Sequence, residues 1–358
     1  MRPLRICLIA SSRFPVREPF AGGLEAHTHA LATELAARGH EVSVFAAPGS
    51  DEQLRPHALE VEPFQASDDA RADVAAPPEM WMQEHHAYLS LMLSLSRAGS
   101  EQYDVIHNNS LHHLPVAMSS AVEVPMLTTL HTPPTPWLES ALSFAAPSSR
   151  FVAVSDSSAR QWRAAVAAGV IRNGVDTDRW APGPGGDRAV WFGRIVPEKA
   201  PHLALDAARI AGIPIDLAGP VFDTRYFADE IEPRLGPHAR HIGHLDSEGL
   251  AQLVGRSAVA VVTPAWEEPY GLVAAEAISC GTPVAAFARG GLREIVGEGS
   301  GFLCAPDDVQ ALARTIRRAK SLPRAGVRAY ALAHLSLNRM VDEYEDLLAD
   351  MAHRTRAA

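Results

Sequence analysis

The chain has 358 residues, of which 47% are hydrophobic and 21% are charged, and its formal charge is −10. This composition excludes disordered, collagen-like and coiled-coil proteins, and the apolar runs are shorter than the roughly 20 residues of a membrane-spanning helix. A groove for nucleic acid or a surface for anionic lipid needs clustered positive charge, whereas residues 1–165 contain 11 Lys or Arg against 18 Asp or Glu, so we expect neither partner.

The first half of the chain predicts alternating strands and helices. Residues 4–10 have the continuous apolar character of a strand that is buried on both faces. Apolar residues in 25–38 recur at helical spacing before Gly39, a typical helix C-cap, and residues 41–46 complete a βαβ unit. Further strands are predicted at 105–107, 126–130 and 151–154, and a helix at about 78–96.

A change of composition near the middle of the chain predicts a domain boundary. Asn173-Gly174 is a turn signal, residues 182–186 form a Pro/Gly cluster, and a new strand is predicted at 189–193. We therefore expect an α/β protein with two domains, residues 1–168 and 169–336, and a ligand site in the cleft between them. In the second domain we predict strands at 215–218, 240–242, 258–263 and 283–287, and helices at about 200–211, in 223–235, after 247 and at about 271–279.

The three cysteines, Cys7, Cys280 and Cys304, lie far apart in apolar segments. This spacing predicts buried thiols rather than a disulfide framework or a four-ligand zinc site. The first residues show no cleavage pattern of a secretory signal, so we expect a cytoplasmic protein.

Gly22 and Gly23 stand between the first predicted strand and the first helix. Glycines at this place let a ligand approach the backbone, and the N–H groups of a helix start attract an anion. A tight turn explains the same pair equally well, and the pattern is not the Gly-x-Gly-x-x-Gly of dinucleotide-binding proteins.

Two cations, Arg194 and Lys199, follow the strand predicted at 189–193. This is the carboxyl edge of the second sheet, where open α/β sheets bind their ligands. A guanidinium and an ammonium suit a diphosphate whose charge grows as a bond to it breaks. The alternative is a solvated pair beside Glu198.

Residues 263–283 carry the most specific pattern in the chain. Glu268 lies in a loop that enters a helix and Glu276 lies on that helix, so the two carboxylates could accept hydrogen bonds from sugar hydroxyls. Either glutamate alone could instead favour a helix N-terminus. Three backbone N–H groups at the helix start are candidates to hold phosphate oxygens, those of Gly271, Leu272 and Val273.

The histidines suggest a ligand site at two positions. His107 and His131 each end a predicted strand, so their rings are candidates to face the cleft. His85-His86 and His112-His113 are expected to pack locally or face solvent. No metal site is predicted, because no histidine pair has zinc-ligand spacing and Asp176-Thr-Asp178 follows a turn, which favours an Asx turn.

Together these segments resemble the retaining GT-B glycosyltransferases of family 4 over nearly the whole chain. Five motifs match in order: Gly22-Gly23-Leu-Glu with Arg38-Gly-His-Glu-Val, Val170 to Asp176, Gly193-Arg194 to Lys199, Glu268 to Glu276 with its Glu-x7-Glu spacing, and Gly281-Thr-Pro-Val. The resemblance implies a Rossmann-like acceptor domain and a Rossmann-like nucleotide-sugar domain that face each other across a cleft. A C-terminal helix at about 337–358 is expected to pack back towards the first domain.

The resemblance also implies roles for the donor-site residues. Arg194 and Lys199 would neutralise the leaving nucleoside diphosphate, Glu276 would hold the ribose hydroxyls and Glu268 would contact the donor sugar. Ala200 departs from the pattern, because a glycine usually follows the lysine, and this leaves the start of the next helix open.

On the first domain, Gly22 and Gly23 would let the backbone close on the phosphates, and His131 would lie beside the reacting sugar. We place His107 and Asn173 on the acceptor side. Family members generally need no metal, so we expect no cofactor besides the nucleotide-sugar co-substrate. Retention of configuration is implied by the resemblance alone, since the residues identify no nucleophile for a double displacement.

The family makes UDP-glucose or a close relative the expected donor. Residues 79–97 lack the basic character of relatives that act on anionic membrane lipids, so we expect a soluble small-molecule or saccharide acceptor. The acidic first half would suit a neutral or cationic natural product. Two other functions stay open: a sugar-phosphate epimerase or phosphorylase of the same architecture, and a non-catalytic nucleotide-sugar binding protein.

Overall fold

The structure is a computed structural model that describes residues 2–55, 57–59, 64 and 66–357. Its contacts divide the chain into two compact units. The first unit comprises Met1–Ala153, Ala159–Val170 and Val341–Ala358, and the second comprises Val154–Ser158 and Ile171–Met340. The sequence did not predict that residues 154–158 belong to the second unit while the chain on both sides of them belongs to the first.

The first unit is built around one parallel sheet. Its elements are β1 (Arg5–Ile9), α1 (Gly23–Ala37), β2 (Glu41–Ala46), β3 (His57–Ala58), α2 (Asp68–Arg71), α3 (Glu79–Gln102), β4 (Val105–Asn108), α4 (His113–Ala117), β5 (Met126–Leu130), α5 (Pro136–Leu142), β6 (Arg150–Ala153), α6 (Asp156–Trp162), which begins in residues of the second unit, and β7 (Gly169–Val170). The seven strands follow the order β3-β2-β1-β4-β5-β6-β7. Every neighbouring pair is parallel, so all carboxyl ends meet at one edge.

The second unit contains a parallel sheet of six strands. Its elements are β8 (Ala189–Phe192), α7 (Pro201–Ala211), β9 (Ile215–Ala218), α8 (Thr224–Tyr226), β10 (Ala239–Gly243), α9 (Ser247–Gly255), β11 (Val259–Val262), α10 (Leu272–Ser279), β12 (Val284–Phe287), α11 (Leu292–Ile295), β13 (Gly301–Cys304), α12 (Val309–Ala319), α13 (Arg324–His334) and α14 (Leu337–Ala357), which continues into the first unit. The strand order β10-β9-β8-β11-β12-β13 is that of a doubly wound fold. The α/β class and the two doubly wound parallel sheets predicted from the sequence are thus confirmed.

The central strands are continuous runs of buried residues. Residues 6–9 of β1 and all of β8 are buried, because helices cover both faces of a parallel sheet. Gly39 has φ +91°, so the chain can leave α1 in the left-handed conformation and return to β2. Cys7 and Cys280 are buried free thiols, and Cys304 is half-buried.

Two helices differ from those predicted from the sequence. The helix expected at about 78–96 extends over Glu79–Gln102. The helix expected in 223–235 is instead a short run of α8, a π-helical turn at Phe227–Ile231 and a 3₁₀ turn at Glu232–Arg234. Pro233 has no N–H to donate and clashes with the preceding turn, which prevents a continuous α-helix.

The end of α14 closes the core of the first unit. Tyr344 is fully buried there, its ring centroid lies 4.9 Å from that of His107, and its hydroxyl lies 3.2 Å from Thr129 Oγ1. Arg38 also donates to Asp342 and Glu345 on this helix, at 2.6 and 2.7 Å. In the part of the chain that the structure describes, no helix has the length and apolar character needed to cross a membrane.

Candidate active site

The loop after β8 places Arg194 at the carboxyl edge of the second sheet. Gly193 has φ +144°, and a β-carbon on Gly219 would lie 1.8 Å from the Gly193 carbonyl oxygen, so only glycine fits this approach of two loops. The Arg194 guanidinium lies 5.8 Å from the ring centroid of Phe222. Among the described residues it has no acidic partner, which leaves its N–H groups available to an anion.

Lys199 ends a 3₁₀ turn, Pro197–Lys199, that precedes α7. Its Nζ lies 2.6 Å from Glu268 Oε2 and 5.2 Å from the ring centroid of Trp266. Trp266 Nε1 donates to the same carboxylate oxygen at 3.1 Å. One oxygen of Glu268 therefore accepts from both a cation and an indole N–H.

Ala200 shows how the chain accommodates the missing glycine. The residue is buried with φ +45° and ψ +50°, a left-handed conformation that is strained for a residue with a β-carbon. The helix α7 nevertheless begins directly after it, at Pro201, whose fixed φ suits the first helical position.

Gly290 and Gly291, which the sequence analysis overlooked, hold the backbone of Glu268. Gly291 N–H donates to the Glu268 carbonyl at 2.7 Å, and Gly290 N–H donates to Glu267 Oε2 at 2.7 Å. A β-carbon on Gly290 would lie 2.1 Å from the Glu268 carbonyl oxygen. The only signal in the sequence was a glycine pair just after the predicted strand at 283–287.

The start of α10 presents free backbone donors. Gly271 precedes the helix with φ +103°, and a β-carbon there would lie 2.6 Å from Leu292 Cδ2. No side chain caps this helix, and its first backbone hydrogen bonds are donated by Ala274 and Ala275 to the Gly271 carbonyl. The N–H groups of Leu272 and Val273 come before those bonds and can donate to an anion.

Glu276 lies one turn further along α10, and its side chain is half-buried. Within the described chain its carboxylate has no hydrogen-bond or ion-pair partner. Burial without a partner disfavours the charged form and raises the pKa of Glu276 to about 8. Hydroxyl groups that donate to this carboxylate would relieve that cost.

In the first unit, Gly22 and Gly23 lie where the sequence places them, at the start of α1 after β1. Gly22 is extended, with φ −171°, and its carbonyl accepts from Ala26 N–H at 3.3 Å. Gly22 has no side chain to cap α1, so the N–H groups of Gly23 and Leu24 at the helix start are left without a cap from it.

His131 follows β5 at the carboxyl edge of the first sheet, and its ring is half-buried. Its Nε2 donates to Asn109 Oδ1 at 2.8 Å, and its ring meets that of His27 edge to face at 4.9 Å. Burial, together with the neighbouring His27 and His107, lowers the pKa of His131 well below 6.5. The ring is therefore neutral at pH 7, with Nδ1 left as an acceptor.

The two residues expected on the acceptor side are both enclosed. His107 has no exposed surface, and its Nε2 lies 2.9 Å from Thr129 Oγ1, so it is a packing residue beneath the sheet edge. Asn173 is buried in the second unit, where its carbonyl accepts from the Tyr270 hydroxyl, and among the described residues its Oδ1 has no hydrogen-bond partner. Strand-end position alone could not reveal that Tyr344 covers His107.

Two groups of side chains carry atoms that could ligate a metal ion. Asp176 Oδ1 accepts from the N–H groups of Asp178 and Arg179, at 3.0 and 3.1 Å, which confirms the predicted Asx turn. His85, His112 and His113 have ring nitrogens within 4.8 Å of one another and could hold a metal ion. However, His112 Nδ1 already accepts from Leu114 N–H, and the rings of His112 and His113 are stacked.

Known proteins resemble this chain over nearly its whole length. The model for Glycosyltransferase Family 4 matches residues 21–179, and that for Glycosyl transferases group 1 matches residues 178–331. A glycogen synthase from Mycobacterium tuberculosis is 30% identical, over 96% of this chain and 91% of the relative.

Two solved structures have a similar fold. HepE from Anabaena, in complex with UDP and glucose, has a TM-score of 0.74 and 20% identity, over 97% of this chain and 100% of that one. Sucrose-phosphate synthase from Thermosynechococcus elongatus has a TM-score of 0.76 and 22% identity, over 97% of this chain and 98% of that one.

Proposed function

This chain belongs to the group 1 glycosyltransferases of the GT-B fold, and we propose that it transfers a hexosyl group from a nucleotide-sugar to an acceptor hydroxyl with retention of configuration. The proposed donor is UDP-glucose or a close relative. The proposed acceptor is a saccharide or another small molecule. HepE, a protein of similar fold, has been solved with UDP and glucose, which supports this choice of donor.

The proposal rests on the start of α10, where backbone N–H groups make no hydrogen bond within the helix. Free N–H groups at Leu272 and Val273 suit phosphate oxygens, and the partnerless carboxylate of Glu276 on the same helix suits the two hydroxyls of a ribose. A nucleoside diphosphate offers both groups in one molecule. We propose that it binds along this helix start.

In this proposal Arg194 and Lys199 neutralise the negative charge of the leaving diphosphate. As the bond from the anomeric carbon to the diphosphate breaks, negative charge grows on the phosphate oxygens. Arg194 has no acidic partner among the described residues, and Lys199 can exchange Glu268 for a phosphate oxygen. The same exchange would free the Glu268 carboxylate for hydroxyls of the donor sugar.

His131 supplies the proposed contribution of the first unit. A neutral ring with a free Nδ1 can accept a hydrogen bond from a sugar hydroxyl without adding charge. Asn109, which receives the Nε2 proton, acts as a positioning residue. Gly22 and Gly23 leave the start of α1 open to an anion.

The donor site is tested by thermal shift with UDP, ADP, GDP and their glucose conjugates in the absence of added metal. We expect one nucleotide family to raise the melting temperature in a concentration-dependent way, and Glu276→Ala to abolish that rise. Glu248→Ala is the matched control, because Glu248 is an acidic residue in the first turn of another helix of the second unit, α9. Stabilisation that survives in Glu276→Ala would contradict the proposed ribose site.

Transfer and retention are tested on the product. Proton NMR of the new linkage should show the anomeric configuration of the donor, and an inverted linkage would exclude the retaining mechanism. A binding protein would keep donor affinity and show no turnover in any variant. An epimerase or phosphorylase would release a modified donor or a sugar phosphate without an acceptor hydroxyl.

A further inference from the structure

A row of stacked rings lies beside α4 and α5 in the first unit. Tyr88 stacks on His112 with ring centroids 4.6 Å apart, His112 on His113 at 4.3 Å, and His113 on Trp137 at 5.1 Å. Trp81 then meets Trp137 edge to face, at 5.7 Å and an interplanar angle of 64°. We call these five residues the aromatic row.

The aromatic row is buried at one end and open at the other. Tyr88 is 2% exposed, and its hydroxyl donates to the Ala10 carbonyl and accepts from Ser12 N–H. Trp81 and Trp137 are 41% and 56% exposed. Within the described residues neither indole N–H has a hydrogen-bond partner. Two exposed indoles whose N–H groups make no hydrogen bond are typical of a ligand-binding surface rather than of a core.

The open end of the aromatic row lies at the same sheet edge as His131. His113 begins α4 after β4, and Trp137 is the second residue of α5, six positions after His131. The strands β4 and β5 are neighbours, and the strand order reverses between β1 and β4. Ligands of doubly wound sheets bind outside the carboxyl ends of the strands at such a reversal.

The chemistry of this surface suits an uncharged sugar ring. A pyranose has an apolar C–H face bordered by hydroxyls, and two indoles at a steep angle offer apolar faces together with two free N–H donors. Burial, followed by the neighbouring His113, His85 and Arg13, lowers the pKa of His112 to about 3. Burial and His85 lower the pKa of His113, so both rings are neutral at pH 7. The charge of Arg13 is paired with Glu84 at 2.7 Å.

We propose that Trp81, Trp137 and His113 bind the acceptor through a neutral sugar ring, so that the acceptor is a saccharide. This inference rests on the proposed transferase function and names its acceptor class. A metal site at His85, His112 and His113 is the competing explanation for the histidines. It would require His112 to give up its bond to Leu114 N–H, and the stacked rings to rotate towards a shared point.

The test is a titration of the full chain with maltotriose, cellotriose and chitotriose, followed by saturation-transfer NMR and calorimetry. We expect at least one trisaccharide to bind, and to bind about tenfold more weakly to Trp137→Ala and to Trp81→Ala. Phe144→Ala is the matched control, because Phe144 is a 63% exposed aromatic residue just after α5 that belongs to no ring pair of the described chain. Its affinity should stay within about twofold of the wild type.

Further variants and conditions separate the explanations. Trp137→Phe keeps a stacking face and should retain most of the affinity, which shows that a loss in Trp137→Ala is not a folding defect. The proposal is overturned if no trisaccharide binds the wild type, if both tryptophan-to-alanine variants bind normally, or if EDTA abolishes binding. UDP binding should be unchanged in all these variants. Trisaccharide binding without any nucleotide binding would support this site and contradict the proposed transferase.

Discussion

Lys199 Nζ and Glu268 Oε2 lie 2.6 Å apart, so the cation that we propose neutralises the diphosphate is paired with the carboxylate that we propose contacts the donor sugar. The side chains of Lys199 and Glu268 are 23% and 11% exposed, and Trp266 donates to the same carboxylate oxygen. A pair this sheltered is costly to break unless each partner finds a replacement. A nucleotide-sugar brings both replacements at once, whereas a free nucleoside diphosphate brings only one.

Glu268→Gln should therefore separate binding from turnover. Without the carboxylate, Lys199 is released, and UDP affinity should be unchanged or up to about tenfold higher. Sugar transfer should fall by about 100-fold or more, because the sugar contact is lost. Calorimetry with UDP and steady-state kinetics measure the two effects. Glu248→Gln is the control, and equal losses of UDP affinity and transfer in Glu268→Gln would show that the pair is only structural.

Glu276 should make stability depend on pH. Its pKa is about 8 in the folded chain against an ordinary 4.5, so between these values the folded state binds more protons than the unfolded state. This group therefore lowers the free energy of unfolding as pH rises through that window. Glu276→Gln cannot lose a proton, and near pH 9 it should be more stable than the wild type by roughly 1–2 kcal/mol. Urea unfolding at about pH 5, 7 and 9 measures this, and parallel curves for the two proteins would contradict it.

Gly290→Ala should disrupt the proposed donor site by displacing the backbone of Glu268. A β-carbon would lie 2.1 Å from the Glu268 carbonyl oxygen, so the loop that carries Glu268 must move. We expect a loss of roughly 3 kcal/mol and loss of donor binding. Gly212→Ala is a control for the backbone conformation alone, because Gly212 has φ +69° with no atom within 4 Å of its added carbon. It should cost about 1 kcal/mol and leave donor binding intact.

His131 should matter for turnover rather than for donor affinity. We expect His131→Ala to reduce transfer by about 100-fold while the UDP dissociation constant stays nearly constant. Because the pKa of His131 lies well below 6.5, wild-type turnover should show no transition near that pH from this ring. Asn109→Ala should give a smaller loss, since it only frees the ring to rotate. A large fall in donor affinity in His131→Ala would place this residue in the donor site instead.

Much of the fold follows from local signals. The strands at 126–130 and 215–218 have the predicted bounds, and every residue in both is buried, as is typical of inner strands of a parallel sheet. The carboxyl end of the strand at 126–130 then locates His131, and in the second unit the carboxyl end of β8 locates Arg194. The Lys199 to Glu268 contact joins residues 69 positions apart and depends on how two loops meet, which no local pattern reports.

The enclosed His107 and the overlooked Gly290 have the same cause. Each is defined by a partner distant in sequence, Tyr344 for the histidine and Glu268 for the glycine. Strand-end position and glycine content alone cannot identify such partners. The free N–H groups of Leu272 and Val273 could be expected from the sequence, because the first N–H groups of a helix have no partner within the helix.

The return of α14 to the first unit affects the order in which the protein is made. Its residues from Val341 onward are synthesised after the whole second unit, yet Tyr344 covers His107, and Glu345 binds both Arg38 and His40. While the ribosome is still translating the second unit, the nascent first unit has the residues of all its strands but lacks this cover. The second unit is therefore translated in full before the first unit, although begun earlier, receives the residues that cover His107.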